Sequence, residues 1–115
     1  MVETLAKDYK RTNEYKEIKQ SLFQQLEESG NLNPHFKGLV EDYMRLWIIK
    51  NQLIDDIDER GVVCRYQNGE NQWGYKRNDS VGELNKTSSQ MLKILTQLKI
   101  QVKEVETIDD DDDEL

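Results

Sequence analysis

The chain is 115 residues long and 36% hydrophobic, enough for one domain around one modest core and too little for a second. A charged fraction of 34% and a mean hydropathy of -0.89 describe a very wet surface, and a chain this poor in apolar residues often completes its core by oligomerising. The single cysteine, Cys64, excludes an intrachain disulfide and a cysteine metal cluster and points to a cytosolic setting. No apolar run opens residues 1–10, and no stretch approaches the roughly 18 apolar residues of a membrane span, so no membrane partner is expected.

The formal net charge of -7 is unevenly placed. Asp109, Asp110, Asp111, Asp112, Asp113 and Glu114 form a run of six acids with no base, and setting them aside leaves 17 acidic against 16 basic side chains. The body is therefore close to neutral and the acidity is an appendage, so the net charge does not by itself exclude a nucleic-acid partner.

Residues 1–11 mix charges without a clear period and read as a frayed arm, although Leu5 and Tyr9 can add a turn to the first helix. From Thr12 the pattern becomes helical. Tyr15, Ile18, Leu22, Phe23 and Leu26 make one apolar stripe, Thr12 or Asn13 can cap its start, and Gly30 stops it. Asn33 and Pro34 then open a second helix, with the asparagine as N-cap and the proline at the first helical position, where its missing N–H costs nothing. Apolar residues from Phe36 to Ile57 carry this helix to Gly61, a length of roughly 26 residues or about 40 Å. Around Leu46, Trp47, Ile48 and Ile49 it is apolar on nearly every side, so it should contact more than one neighbour there, within the chain or in another subunit.

Beyond Gly61 the period changes to two. Val62, Cys64 and Tyr66 alternate against Val63 and Arg65, Asn68 and Gly69 supply a turn, and Trp73, Tyr75 and Arg77 form the return arm of a short β-hairpin over residues 62–77. Ser80 and Glu83 have the spacing of a capping box and open a third helix. Val81, Leu84, Met91, Leu95 and Leu98 fall at heptad-like positions, with Leu92 and Ile94 widening the stripe, and Ile100 and Val102 then alternate as an extended exit. The expected fold is mainly α: a three-helix core with one long central helix and a short β-hairpin between the second and third helices. Residues 12–103 form the single domain and 104–115 an acidic tail read as disordered. Tyr43, Trp47, Ile48, Leu84, Met91 and Leu95 are the candidate core residues, with oligomer contacts at one edge.

Catalytic equipment is hard to find. His35 is the only histidine, sits in the first turn of a helix and has no cysteine near it in sequence, so a structural or exposed role is the better reading than a zinc ligand or a nucleophile partner. Asp55, Asp56, Asp58 and Glu59 cluster at a helix C-terminus, where a solvated end or a salt-bridge partner for Lys or Arg is favoured over a metal site. Gly69, Gly74 and Gly82 are scattered and form no phosphate-binding loop. No cofactor and no enzymatic activity are expected.

Basic residues segregate more usefully. Lys7, Lys10, Arg11, Lys16 and Lys19 concentrate near the N-terminus, diluted by Glu3, Asp8, Glu14 and Glu17, so phosphate contact stands beside an ordinary solvated helix. Lys86, Lys93, Lys99 and Lys103 occur with no acid between Leu84 and Lys103, and suit DNA or an acidic partner as well as a plain wet face. The hairpin brings Arg65, Tyr66, Trp73, Tyr75, Lys76 and Arg77 together, a mixture that fits nucleic acid, a protein interface or core packing.

The run Val81-Gly82-Glu83-Leu84-Asn85-Lys86-Thr87, followed by Gln90-Met91-Leu92-Lys93-Ile94-Leu95 and Leu98, resembles the third-helix signature of a family of phage terminase small subunits. The preceding order is also similar: a helix ending in a glycine turn, a long helix from Pro34, then a glycine-bounded hairpin, so the likeness spans roughly residues 15–100. The resemblance implies a subunit without bond chemistry, found in phages and prophages and acting in the cytoplasm of the infected or lysogenic bacterial host. It implies assembly into a ring, recognition of the packaging start site on double-stranded phage DNA, and recruitment or regulation of the large ATPase and nuclease subunit. A ring would complete a small core and multiply a weak basic patch by avidity. Lys7, Lys10, Arg11, Lys16, Lys19, Arg65, Lys76, Arg77, Lys86 and Lys93 are then the candidate DNA contacts. The six acids from Asp109 to Glu114 are candidates for docking on the large subunit or for screening the ring's own basic surface, with solubilisation the plain alternative. A protein-only adaptor in a phage or bacterial assembly is the rival reading.

Overall fold

The computed structural model describes residues 8–67 and 69–100. Three helices and one hairpin come in chain order: α1 (Asn13–Glu28), α2 (Pro34–Arg60), β1 (Val63–Gln67), β2 (Trp73–Arg77) and α3 (Asp79–Gln97), preceded by a single 3-10 turn at Tyr9–Arg11. The mainly helical fold with a hairpin between the second and third helices is therefore the observed one.

Local chemistry sets the ends of the first two helices. The Thr12 hydroxyl accepts a hydrogen bond from the Tyr15 N–H at 3.2 Å, and Asn33 Oδ1 accepts from the Phe36 N–H at 3.0 Å, with Pro34 in the first turn. Each cap satisfies a donor that the helix itself cannot. At the other end of α1, Gly30 takes φ 76° while Asn31 N–H reaches back to the Leu26 carbonyl at 2.9 Å, a closure that a β-carbon would strain. Gly61 also has a positive φ (85°), but its ψ of 174° sends the chain out of α2 in an extended direction. The third helix ends as α1 does, but on Lys99 (φ 62°), with Ile100 N–H bonded to the Leu95 carbonyl at 3.1 Å. Ile100 thus folds back and packs on the core instead of leaving as an extended strand, and Val102 lies outside the described residues.

Both flanking helices run antiparallel to α2. Tyr15 meets Trp47 and Lys19 pairs with Glu41 across α1 and α2, while Ser80 meets Asp56 at the start of α3 and Ile94 shares a groove with Leu46 and Ile49 further on. The middle of α2 accordingly contacts both neighbours within one chain, as its apolar circumference predicts. The core comprises Tyr9, Tyr15, Leu22, Leu26, Val40, Met44, Trp47, Met91 and Leu98. Trp47 lies at its aromatic centre, with the Tyr9 ring edge-on at 5.8 Å and the Tyr15 ring tilted at 5.7 Å, contacts worth about 0.5–1.5 kcal/mol each beyond their buried area.

Of the candidate core residues, Trp47 and Met91 are buried, Tyr43, Ile48 and Leu95 are half-buried against the core, and Leu84 is half-buried. Tyr9 belongs to the core although it precedes Thr12, and its hydroxyl donates a hydrogen bond to Asp55 of α2. Burial, then that bond and the carboxylate's charge, push the Tyr9 phenol up to about 12.

Candidate functional site

The hairpin is positioned by a polar junction where α2, the hairpin and α3 meet. Asn78 is fully buried and uses all four of its side-chain hydrogen-bonding positions. Its amide nitrogen donates to Asp56 Oδ2 at 3.1 Å and to the Gly61 carbonyl at 3.0 Å, while Oδ1 accepts from Arg60 and from the Ser80 N–H, both at 3.0 Å. The backbone N–H of Asn78 also bonds the Val62 carbonyl at 2.6 Å. One residue therefore closes the hairpin's base and caps α3.

Asp56 is the anionic member of this junction. Arg60, one turn further along α2, grips it through Nε at 2.7 Å and a second nitrogen at 2.8 Å, a two-pronged pair, and the Ser80 hydroxyl donates to it at 2.7 Å. The bonds from Arg60, then Ser80, hold its carboxyl well below the usual carboxylate range, outweighing the opposing effect of burial, and Asn78 adds to them. This corrects the capping-box expectation. α3 starts at Asp79 with Asn78 as its cap, and the Ser80 hydroxyl serves Asp56 instead of its own helix. In the acid cluster Asp56 takes the salt-bridge role expected of it, with Arg60 of the same helix and the start of α3 as its partners, while Asp55, Asp58 and Glu59 are exposed. An Asn before Asp-Ser was a visible cap signal, outranked in sequence by the Ser80 and Glu83 spacing.

On this base stands a two-stranded antiparallel hairpin in the register Val63↔Arg77, Cys64↔Lys76, Arg65↔Tyr75, Tyr66↔Gly74 and Gln67↔Trp73. Its strands are thus joined across residues 68–72, a longer connection than a two-residue Asn-Gly turn, and Asn68 itself lies outside the described residues. Because alternate residues face opposite sides and cross-strand partners share a side, the register sorts the cluster into two faces. Val63, Arg65, Gln67, Trp73, Tyr75 and Arg77 share one. Cys64, Tyr66, Gly74 and Lys76 share the other.

The first face is open. Trp73 is 54% and Tyr75 75% exposed, and Val63, Arg65, Gln67 and Arg77 are exposed with them. The Arg65 guanidinium lies 3.8 Å above the Trp73 ring, which fixes its plane and leaves its N–H edge free to meet an acceptor. Among the described residues neither Arg65 nor Arg77 has a carboxylate partner. On the second face, Tyr66 covers Gly74 so closely that a β-carbon there would come within 2.7 Å of the ring, and Lys76 pairs with Asp79 at 3.5 Å.

The other described basic candidates lie on the 3-10 turn, α1 and α3, in different circumstances. Arg11 pairs with Asp8 at 3.1 Å, Lys19 with Glu41 at 3.1 Å and Lys86 with Glu83 at 3.7 Å. Lys10, Lys16 and Lys93 are exposed without an ion-pair partner among the described residues, and Lys7 lies outside them. Lys10 borders a shallow groove with Tyr15, Glu41, Arg45, Ile48 and Ile49. Asp109, Asp110, Asp111, Asp112, Asp113 and Glu114 also fall outside the described residues, as does Lys103. His35 is exposed.

The family model described as phage terminase, small subunit, matches residues 6–106. The chain belongs to the phage terminase small-subunit family. Membership assigns it a role in phage DNA packaging, and the matched span takes in every described element from the 3-10 turn through α3 and the hairpin. No curated protein and no solved structure matches the chain. No described helix of this terminase subunit is long and apolar enough to cross a membrane.

Proposed function

We propose that the chain is an oligomeric, non-catalytic DNA-packaging subunit that recognises the packaging start site on double-stranded phage DNA and recruits or regulates the large ATPase and nuclease subunit. It works in the cytoplasm of an infected or lysogenic bacterium. Family membership supports the packaging role, and the observation that carries DNA contact is the open hairpin face, where two arginines without a carboxylate partner among the described residues accompany exposed Trp73 and Tyr75. Arginines of this kind are suited to phosphate oxygens, and the ring-stacked one is pre-oriented for them. Lys10, Lys16 and Lys93 provide further cations without an ion-pair partner among the described residues, whereas the charge of Arg11, Lys19, Lys76 and Lys86 is partly offset by an acid neighbour. Lys7 belongs to the same proposed set.

Two arginines per protomer are a weak patch, and a closed ring would repeat it. Apolar side chains left exposed on the helices, Ile49 on α2 and Leu92 on α3, together with half-buried Tyr43, Ile48, Leu84 and Leu95, are the material for subunit contacts. The protein-only adaptor has its own supporting observation, since Val62, Val63, Trp73 and Tyr75 expose enough apolar surface to suit a protein partner. Fluorescence anisotropy of labelled duplex DNA against salt separates the two. The packaging reading expects affinity to fall steeply with salt and the double variant Arg65→Ser/Arg77→Ser to weaken binding and flatten that slope. An adaptor shows neither.

A further inference from the structure

The open hairpin face has a chemical complement within the same chain. It presents Arg65 and Arg77 and no acid; Glu70 lies in the turn, and Asp79, the nearest acid in sequence, is engaged by Lys76. The run of six acids at 109–114 contains no base. A tether of eight residues, 101–108, separates that run from Ile100, the last described residue.

The reach matches. α3 begins at the hairpin's base, where Asn78 bonds Gly61, and its 19 residues carry the chain about 28 Å away from it. Residues 101–108 can span at most roughly 29 Å, enough to return along α3. The six acids after them can span about 20 Å, close to the roughly 17 Å of a five-residue strand. At this extension the acids can reach Arg65 and Arg77 from the end of α3.

We propose that residues 109–114 dock on the hairpin face formed by Arg65, Trp73, Tyr75 and Arg77, occupying it until a polyanion displaces them. The carboxylates accept hydrogen bonds from the two guanidinium edges. The tail is thus a built-in competitor for this surface, which sets an ionic-strength-dependent threshold for its use. The docking needs no DNA; its regulatory consequence rests on the proposal that the hairpin binds DNA.

The test uses Trp73 as its reporter, because Trp73 is exposed whereas the other tryptophan, Trp47, is buried in the core. Acrylamide quenching is measured for the full chain and for a chain ending after Val105, at low salt and at 0.5 M NaCl, with duplex DNA affinity measured in parallel. Docking predicts that truncation makes Trp73 clearly more quenchable at low salt. The difference disappears at high salt, in Arg65→Ser/Arg77→Ser and in Trp73→Phe. A tethered ligand at an effective concentration near millimolar, with comparable intrinsic affinity, predicts a gain of about 2–10-fold in DNA affinity on truncation. Equal quenching of the two chains at low salt overturns the docking, as does a difference that survives in Trp73→Phe. If Trp73 is shielded by the tail while DNA affinity is unchanged, the docking stands and the assignment of the hairpin to DNA fails.

Discussion

Replacing Asn78 by alanine should be among the most damaging single changes in this molecule, because it breaks a junction and not only a cap. The side chain makes four hydrogen bonds, to Asp56, Gly61, Arg60 and Ser80. Losing the cap to Ser80 costs about 1 kcal/mol. The other three bonds contribute roughly 0.5–1.5 kcal/mol each, and the Gly61 carbonyl is left without its side-chain donor. Since Arg60 and part of Asp56 still reach water, the sum is discounted to about 3 kcal/mol. In urea this is a fall of about 2 M in midpoint at an m-value near 1.5 kcal/mol/M, measured at fixed protomer concentration because any oligomer adds stability by mass action. Asn78→Asp sharpens the test. Aspartate caps a helix as well as asparagine does, but here it loses both donated bonds and faces the Asp56 carboxylate. An Asn78→Asp protein as stable as the parent would reduce the junction to a simple cap, and an Asn78→Ala loss under about 0.5 kcal/mol would mean that these four bonds do not hold the hairpin's base together.

Because the folded-state value of Asp56 is depressed, its contribution is present above about pH 4 and is lost as pH falls below that; Asp56→Asn should flatten stability against pH between about 4 and 2. Tyr9 has the opposite sign: with its phenol raised to about 12, the stability it contributes is full below pH 10 and drains away between pH 10 and 12, and Tyr9→Phe should remove that alkaline step in a pH series of thermal melts. Lys99→Gly should raise stability by up to about 1 kcal/mol, since the left-handed backbone at φ 62° suits glycine, and thermal unfolding that is unchanged or earlier would count against the strain argument.

Much of the fold was legible because its punctuation is local. Thr12, Asn33 with Pro34, Gly30 and Gly61 act on backbone groups three to five residues away, and the helices begin and end beside them. The start of α3 was not, because Asn78 and Ser80 both satisfy local capping rules. What decides between them is Asp56, a carboxylate 24 residues earlier than Ser80 that claims the serine hydroxyl. The charged surface was legible in part. Lys86 and Lys93 look like one basic stripe by spacing, yet Glu83, one turn before Lys86, pairs with it. The hairpin's aromatic and basic residues were found as a group, but their division into two faces depends on the register and on a connection longer than the Asn-Gly pair suggests. That register is what separates Arg65 and Arg77, which have no carboxylate partner among the described residues, from engaged Lys76.

The proposed function has this family member hold phage duplex DNA through an exposed basic and aromatic hairpin. It is tested most directly by the salt dependence of duplex binding in the parent chain and in Arg65→Ser/Arg77→Ser. Log affinity is expected to fall linearly with log salt in the parent, with weaker binding and a shallower slope in the variant. Binding that is absent at low salt, or identical in the two proteins, would contradict it.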